Sequence, residues 1–142
     1  MPGFSQPSHG SAPAVRLGTL LDGGLAPAIM AIVERGVQRR PAQARALRLE
    51  VELQMEESYP PVRIVFGEHE VLVEDGPAAA PGLRVSGSLP DLVALMIAPT
   101  IRGVPSPMDA RGRAAISLFA SRRVRIQGRI GALRSFVGVI RL

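Results

Sequence analysis

The chain has 142 residues, a length typical of one domain that buries about two thirds of its unfolded surface around a single core. Hydrophobic residues make up 46% of the chain and the mean hydropathy is +0.21, which favours a packed core over disorder. There is no cysteine, which excludes disulfides, thiolate metal sites and cysteine nucleophiles, and the formal net charge is +5.

The N-terminal third of the chain predicts a leader followed by a helix. Residues 1–15 are rich in Ser, Pro and Gly and are expected to form a flexible leader, with residues 16–142 forming one domain. Apolar residues then recur every three or four positions from Leu25 to Val33, the spacing of an amphipathic helix. Gly36 and Pro41 are expected to end this helix.

Four strands are predicted next, because the apolar period changes from about four to two. The segment Leu47–Leu53 alternates strictly between apolar and charged residues, as a half-buried strand does. The segments Val62–Phe66 and Val71–Val73 alternate in the same way on either side of a predicted turn at Gly67-Glu68. Leu83–Val85 gives the fourth strand.

The C-terminal half predicts two helices, a fifth strand and a last helix. Ser88-Leu-Pro-Asp91 has the serine cap, early proline and acid of a helix start, and a Pro/Gly loop follows at residues 99–107. A helix is expected from Asp109 to Ser121, a strand at 123–127, and a final helix after Gly131. The predicted fold is therefore α+β: a five-stranded, largely antiparallel sheet covered by helices on one face.

The sequence lacks the common catalytic and nucleotide-binding motifs. There is no G-x-x-x-x-G-K-[ST], G-x-G-x-x-G, G-x-S-x-G or H-E-x-x-H. The triplet Glu68-His69-Glu70 is the one candidate metal site, but at a hairpin its glutamates would point away from the histidine. His9 is the only other imidazole. We therefore predict no metal, no catalytic residue, no enzymatic activity and no cofactor.

The arginines of the C-terminal region raise the question of nucleic-acid binding. All 17 basic residues of the chain are arginine, which we interpret as GC-rich, bacterial-like codon usage. Residues 102–142 hold nine arginines against one acid, whereas residues 46–75 hold eight acids against two arginines. We expect Arg123 and Arg125 to pair with the acids of the Leu47–Leu53 strand. Aromatic residues, which stack on bases, are only 4% of the chain, so nucleic-acid binding is the least favoured function.

No segment predicts a membrane span or a secretion signal. The longest apolar runs, Leu25–Val33 and Leu92–Ala98, are far shorter than the roughly 20 residues that cross a bilayer. The start of the chain does not combine a basic stretch, an apolar block and a cleavage site. We expect a cytoplasmic protein.

From Leu83 onward the sequence resembles a known family. LRVSGSLPDLVALMIAP, a loop and a helix, and then SRRVRIQGRIGALRSFVGVI follow the order of the sterol carrier protein lipid-binding domain. The family's alternating basic and hydrophobic signature before a glycine reads Arg123-Val-Arg-Ile-Gln-Gly128 here. With the upstream helix and strands, the resemblance spans about residues 17–142. Arginines replace the usual lysines, and the loop at 99–107 is unusually proline-rich.

The resemblance implies a hydrophobic tunnel for sterols, fatty acyl chains or isoprenoid lipids, and a role in lipid binding or transfer. The alternative is a non-catalytic accessory or protein-interaction module of the same fold, for example in quinone or lipid metabolism, with the same residues filling a solid core. An anionic membrane surface is a further expected partner, docked by Arg129, Arg134 and Arg141. The residues expected to line the cavity are Phe66, Leu92, Met96, Phe119, Ile126, Leu133, Phe136, Val137 and Ile140.

Overall fold

The computed structural model describes residues 12–97, 100–101, 104–105 and 123–140. These residues form the following elements in chain order: β1 (Ala14–Leu17), α1 (Ala26–Arg39), α2 (Pro41–Ala46), β2 (Leu49–Met55), β3 (Val62–Phe66), β4 (Glu70–Asp75), β5 (Leu83–Gly87), α3 (Leu89–Ile97), β6 (Thr100–Ile101), β7 (Val104–Pro105), β8 (Arg125–Gly128) and α4 (Ile130–Ile140). The helix predicted over residues 109–121 lies outside the described residues.

Six of the strands form one mixed sheet in the order β1-β4-β3-β2-β5-β8. The pairs β2–β3, β3–β4 and β5–β8 are antiparallel, whereas β1–β4 and β2–β5 are parallel. The short strands β6 and β7 pair with each other within the predicted loop 99–107. The α+β class is confirmed, but the main sheet has a sixth strand and is less antiparallel than expected.

The sixth strand, β1, begins inside the segment that the sequence predicts as leader. Ala14 and Val15 lie in β1, which pairs in parallel with β4 from Ala14↔Glu70 to Leu17↔Val73. The strand has only four residues, and two of them, Val15 and Leu17, supply its entire apolar alternation. So short a pattern after a Pro- and Ser-rich stretch carries no sequence signal of its own.

The core lies between one face of the sheet and the helices. Strands β2 to β5 turn alternate apolar residues toward this face, as the predicted period of two requires. Helix α1 packs on β3 and β4, α3 packs on β5, and α4 packs on α1. The helices therefore cover this face, as predicted. The most deeply buried apolar side chains include Val33, Val51, Ile64, Val71, Val73, Leu83, Val85 and Ile140.

Gly36 does not end α1, contrary to the prediction. The helix continues to Arg39, and Gly36 is buried where α1 crosses α4. A Cβ at this position would overlap the carbonyl oxygen of Val139 and lie 2.9 Å from the Cα of Ile140. Arg40 Nη1 donates a hydrogen bond to the same Val139 oxygen at 3.4 Å. The glycine therefore allows two helices to approach closely and does not break the chain.

The opposite face of the sheet carries a network of ion pairs. Arg63 on β3 lies between two acids, with its guanidinium 2.5 Å from Glu50 on β2 and 2.5 Å from Glu74 on β4. Arg84 on β5 pairs with Glu52 on β2 at 3.4 Å. This network engages Glu50 and Glu52, the acids of β2 that were predicted to pair with Arg123 and Arg125.

The predicted pairing of Arg123 and Arg125 with the β2 acids is therefore wrong. Strand β5 lies between β2 and β8, so Glu52 is reached by Arg84 of β5, and Glu50 is reached by Arg63 of β3 on the other side of β2. Arg123 instead pairs with Asp91 at the start of α3, with 2.8 Å between Nη2 and Oδ1. The order of strands, which alternation alone does not determine, decides these partners.

Glu52 is almost completely buried on the polar face, at 1% exposure. Residues 76–82, which connect β4 to β5, cross over it, and the Ala78 N–H donates to Glu52 Oε1 at 2.9 Å. Burial by itself would raise the pKa of Glu52. The hydrogen bonds from Ala78 and Gln54, together with the Arg84 guanidinium, outweigh burial and hold the pKa below the ordinary value of 4.5.

Replacing Glu52 with glutamine should lower the free energy of unfolding by about 1–2 kcal/mol at pH 7, because Arg84 loses its charged partner. A carboxyl whose pKa is lowered by folding stabilises the fold above its unfolded-state pKa, and this contribution disappears as the pH falls through the folded pKa. Urea unfolding at pH 7 and at pH 3 should therefore show that the free energy of unfolding depends less on pH in Glu52→Gln than in the unmodified chain.

The exposed residue Glu68 provides the control for this variant, since its side chain is 62% exposed and its pairing with Arg48 spans 3.8 Å. Glu68→Gln should change stability by less than about 0.5 kcal/mol at either pH. Equal losses for the two variants would show that the burial of Glu52 contributes nothing specific.

Candidate functional site

An apolar cavity lies where the inner face of the sheet meets α3 and α4. Its enclosed volume is about 10 Å³, enough for about one water-sized sphere. All its lining side chains are apolar, so a water molecule there would find no hydrogen-bond partner among them. The lining residues are Leu53, Val85, Leu92, Leu95, Leu133, Phe136, Val137 and Ile140.

The periodicity of each element brings these residues together. Leu53 on β2 and Val85 on β5 are direct neighbours in the parallel register, so both point to the inner face. Leu92 and Leu95 are three residues apart on α3 and share one side of that helix. The four lining residues of α4, from Leu133 to Ile140, follow the helical spacing of three and four.

The start of α3 is fixed by two side chains that accept its free N–H groups. Ser88 Oγ accepts the Asp91 N–H at 3.2 Å, which is the cap that the sequence predicts. The carboxylate of Glu57, in the β2–β3 loop, accepts the Leu89 N–H at 3.0 Å. Together with the Arg123–Asp91 pair, these bonds set the position at which α3 enters the cavity wall.

Five of the nine predicted lining residues border the cavity: Leu92, Leu133, Phe136, Val137 and Ile140. Phe66 is buried in the adjacent core and meets Phe136 edge to face, with ring centroids 6.1 Å apart at 75°. Ile126 is half-buried on β8 and does not line the cavity. Met96 belongs to α3, but its side chain lies outside the described part of the structure, as does all of Phe119.

Three lining residues, Leu53, Val85 and Leu95, are not among the residues predicted from the sequence. Leu95 could have been found from its position three residues after Leu92. Leu53 and Val85 were identified as strand residues, but their strands are not consecutive in the chain. The parallel pairing of β2 with β5 places them side by side, and no local pattern indicates that pairing.

The predicted membrane-docking arginines lie on and before α4. Arg129 and Arg134 are exposed, and Arg134 lies on the side of α4 away from the core. Arg141 lies outside the described residues. No helix in the described ranges has the length and apolarity needed to cross a bilayer.

The Glu68-His69-Glu70 triplet lies at the β3–β4 hairpin, on a surface depression of about 290 Å³ with Val65 and Leu72. The turn is closed by the Gly67 N–H donating to the Glu70 carbonyl at 2.9 Å, so its two central residues are Glu68 and His69, one position later than the predicted Gly67-Glu68. The His69 side chain is 87% exposed. Within the described ranges, no three His, Cys, Asp or Glu side chains are grouped as metal ligands.

Comparison with solved structures identifies proteins that share this fold. No family model and no curated protein matches the chain. Among solved structures, a protein described as "UbiJ-SCP2 Ubiquinone synthesis protein" matches 82% of this chain and 92% of its own, at 18% identity and a TM-score of 0.60. Sterol carrier protein 2 from Yarrowia lipolytica, in its apo form, matches 84% of this chain and 92% of its own, at 12% identity and a TM-score of 0.52.

A third structure, the inverting sec-alkylsulfatase Pisa1 from Pseudomonas sp., matches 71% of this chain but only 14% of its own length, at 13% identity and a TM-score of 0.53. At identities of 12–18%, these likenesses establish the fold and no more. The predicted resemblance is confirmed at that level: the chain has the fold of sterol carrier protein 2 domains.

Proposed function

We propose that this chain is a lipid-binding domain that takes an acyl, sterol or isoprenoid lipid between its sheet and the helices α3 and α4. The observation that carries the proposal is the cavity at that junction, which is lined by eight apolar side chains. Two structural neighbours are named for sterol carrier protein 2, which is consistent with a lipid ligand. The neighbour named for ubiquinone synthesis favours an isoprenoid lipid among the three classes.

Lipid entry requires the helices to move. Sites for small molecules usually have volumes of about 300–1,000 Å³, whereas this cavity encloses about 10 Å³. A lipid would therefore push α4 or α3 away from the sheet and replace their contacts with its own apolar surface. None of the eight lining side chains can transfer a proton or attack a substrate, which supports a domain that holds its ligand without transforming it.

The small volume of the cavity also favours a second candidate, an accessory or protein-interaction module. In this case the eight lining residues are a solid core, and α4 stays closed on the sheet. Native mass spectrometry of the purified chain distinguishes the two candidates. Co-purifying lipid, or displacement of a fluorescent fatty acid or isoprenoid probe, supports the lipid-binding domain. If neither signal is observed, the accessory module is the candidate that the result supports.

Exposed arginines would help a lipid-binding domain to meet its donor membrane. Each arginine close to an anionic surface contributes about 1 kcal/mol of attraction, and Arg129 and Arg134 are both exposed. Vesicles containing anionic lipids should therefore bind the chain more strongly than neutral vesicles. Arg129→Glu/Arg134→Glu should remove most of that difference.

A cavity-filling substitution tests lipid binding directly. Val85→Phe places an aromatic ring in the cavity. The affinity for the fluorescent fatty acid or isoprenoid probe should fall at least tenfold, because the ring occupies the space that the ligand needs. The matched control is Val71→Phe. Val71 is as deeply buried on the same face of the sheet but does not line the cavity.

Both substitutions overpack the core and should cost about 1–3 kcal/mol of stability, so circular dichroism must show that both variants are folded. Equal probe binding by the two variants would contradict the assignment of this cavity as the lipid site.

A further inference from the structure

Exposed apolar side chains gather at one end of the sheet. Five large hydrophobic side chains are exposed among the described residues. Four of them are Leu20 at 52%, Leu21 at 47%, Tyr59 at 37% and Val93 at 38%. They lie in segments that meet at the end of the sheet where β1, β2, β4 and β5 finish. We call the segments 18–25, 56–61, 75–77 and 88–93 the loop rim.

Hydrogen bonds fix the segments of the loop rim to one another. The carboxylate of Asp75 accepts the Leu21 N–H at 2.9 Å, and the Asp75 N–H donates to the Thr19 carbonyl at 2.8 Å. The next residue, Gly76, donates to the Pro61 carbonyl at 2.7 Å. The exposed leucines are therefore held beside the loop that carries Tyr59, on a backbone ordered before any partner binds.

Two further bonds extend the loop rim to α3. The Glu56 N–H donates to the Gly87 carbonyl at 2.9 Å, and the Glu57 carboxylate accepts the Leu89 N–H. Val93 lies one helical turn beyond Leu89. The loop rim is thus a preformed surface, which lowers the entropic cost of binding.

The charge of the loop rim is opposite to that of the whole chain. Its segments contain five acids and no basic residue, in a protein with a formal net charge of +5. Three of the acids, Asp22, Glu56 and Glu57, are exposed. Arg123, which lies two residues before β8, is paired with Asp91. Within the described part of the chain, Asp22, Glu56 and Glu57 form no ion pair, so the exposed apolar side chains lie beside negative charge.

We infer that the loop rim is a docking surface for a basic, apolar segment of a partner protein, such as an amphipathic helix with Lys or Arg beside Leu. The leucines and Tyr59 would be covered by the partner's apolar side, and Asp22, Glu56 and Glu57 would attract its cations. An anionic membrane would be repelled by these acids. A second copy would meet the rim only through a different, basic surface, and such head-to-tail contacts build rings or open filaments.

A model peptide tests this inference on the full chain. The probe is a fluorescein-labelled 18-residue helix of Leu and Lys with all Leu on one side, and its counterpart carries Glu in place of Lys. Fluorescence anisotropy should show binding of the Leu/Lys peptide that weakens with salt, and none of the Leu/Glu peptide. Leu20→Ser/Leu21→Ser should weaken binding at least tenfold, since two exposed leucines lose their cover.

The matched control is Ile130→Ser, which removes the fifth exposed hydrophobic side chain, at the start of α4. Ile130 lies near the opposite end of the sheet, so this change should leave peptide binding unaltered. Asp22→Asn/Glu56→Gln should weaken binding by about threefold and flatten its salt dependence.

Three results would overturn the inference. The first is that Ile130→Ser weakens peptide binding as much as Leu20→Ser/Leu21→Ser does, and the second is that the Leu/Glu peptide binds as tightly as the Leu/Lys peptide. The third is that the chain binds anionic vesicles or self-associates through the loop rim, so that Leu20→Ser/Leu21→Ser abolishes that binding or self-association. The inference does not depend on the lipid-binding proposal. If the chain binds the Leu/Lys peptide at the loop rim but binds no lipid, only the lipid-binding proposal is contradicted.

Discussion

Replacing Asp75 with alanine is expected to reduce the free energy of unfolding by about 3 kcal/mol, since it removes a buried cap that serves two segments. The Asp75 side chain is only 3% exposed. Its two oxygens accept the Leu21 N–H at 2.9 Å and the Ala26 N–H at 3.0 Å. Ala26 is the first residue of α1, so the carboxylate both caps the helix and holds the loop that precedes it.

Urea unfolding followed by circular dichroism measures this effect. Asp75→Asn should lose about half as much stability, because an amide oxygen can still accept one of the two bonds. Asp22→Ala, in the same loop but exposed, should change stability by less than about 0.5 kcal/mol. If Asp22→Ala proved as damaging as Asp75→Ala, the cap would not be the source of the stability.

The second large effect is expected at the crossing of α1 and α4, where Gly36→Ala should cost about 2–3 kcal/mol. A methyl group there would overlap the Val139 carbonyl oxygen, and a backbone atom cannot rotate away as a side chain could. The helices would have to separate, which opens the core along the length of α4.

Gly138→Ala provides a control of opposite sign. Gly138 lies in α4, and a Cβ there would meet no atom within 4 Å. Because alanine favours a helix over glycine, this variant should be neutral or more stable by up to about 1 kcal/mol. Thermal melts of both variants check the pair. A Gly36→Ala variant as stable as Gly138→Ala would show that the helices can part without cost.

The sequence predicts individual helices and strands well where one face of the element is buried and the other is exposed to solvent. Strand β2 is predicted from strict alternation, and the cap of α3 from Ser88 and its neighbours. In both cases the physical cause is local: the side-chain period follows the burial of one face, and a hydroxyl satisfies a nearby N–H.

What the sequence misses depends on contacts between distant segments. Gly36 has the same local signal as a helix-ending glycine, and only the approach of Val139 distinguishes it. Likewise, no local pattern indicates that β5 lies between β2 and β8, so Arg123 and Glu52 were given the wrong partners. Half of the cavity could be predicted because α4 has a regular apolar side. The sheet residues that complete it depend on strand order.

The contact between α1 and α4 also determines when the domain can finish folding. Arg40 and Val139, which meet there, are separated by 99 positions in the chain. Strands β3 and β4 are joined by a short hairpin turn and can pair early, whereas closing the long loop between α1 and α4 costs conformational entropy that early contacts do not offset. On the ribosome, the parts of α1 and of the inner sheet face that α4 covers must therefore remain apolar and uncovered until α4 has been synthesised. During that interval we expect the nascent chain to be a substrate for chaperones.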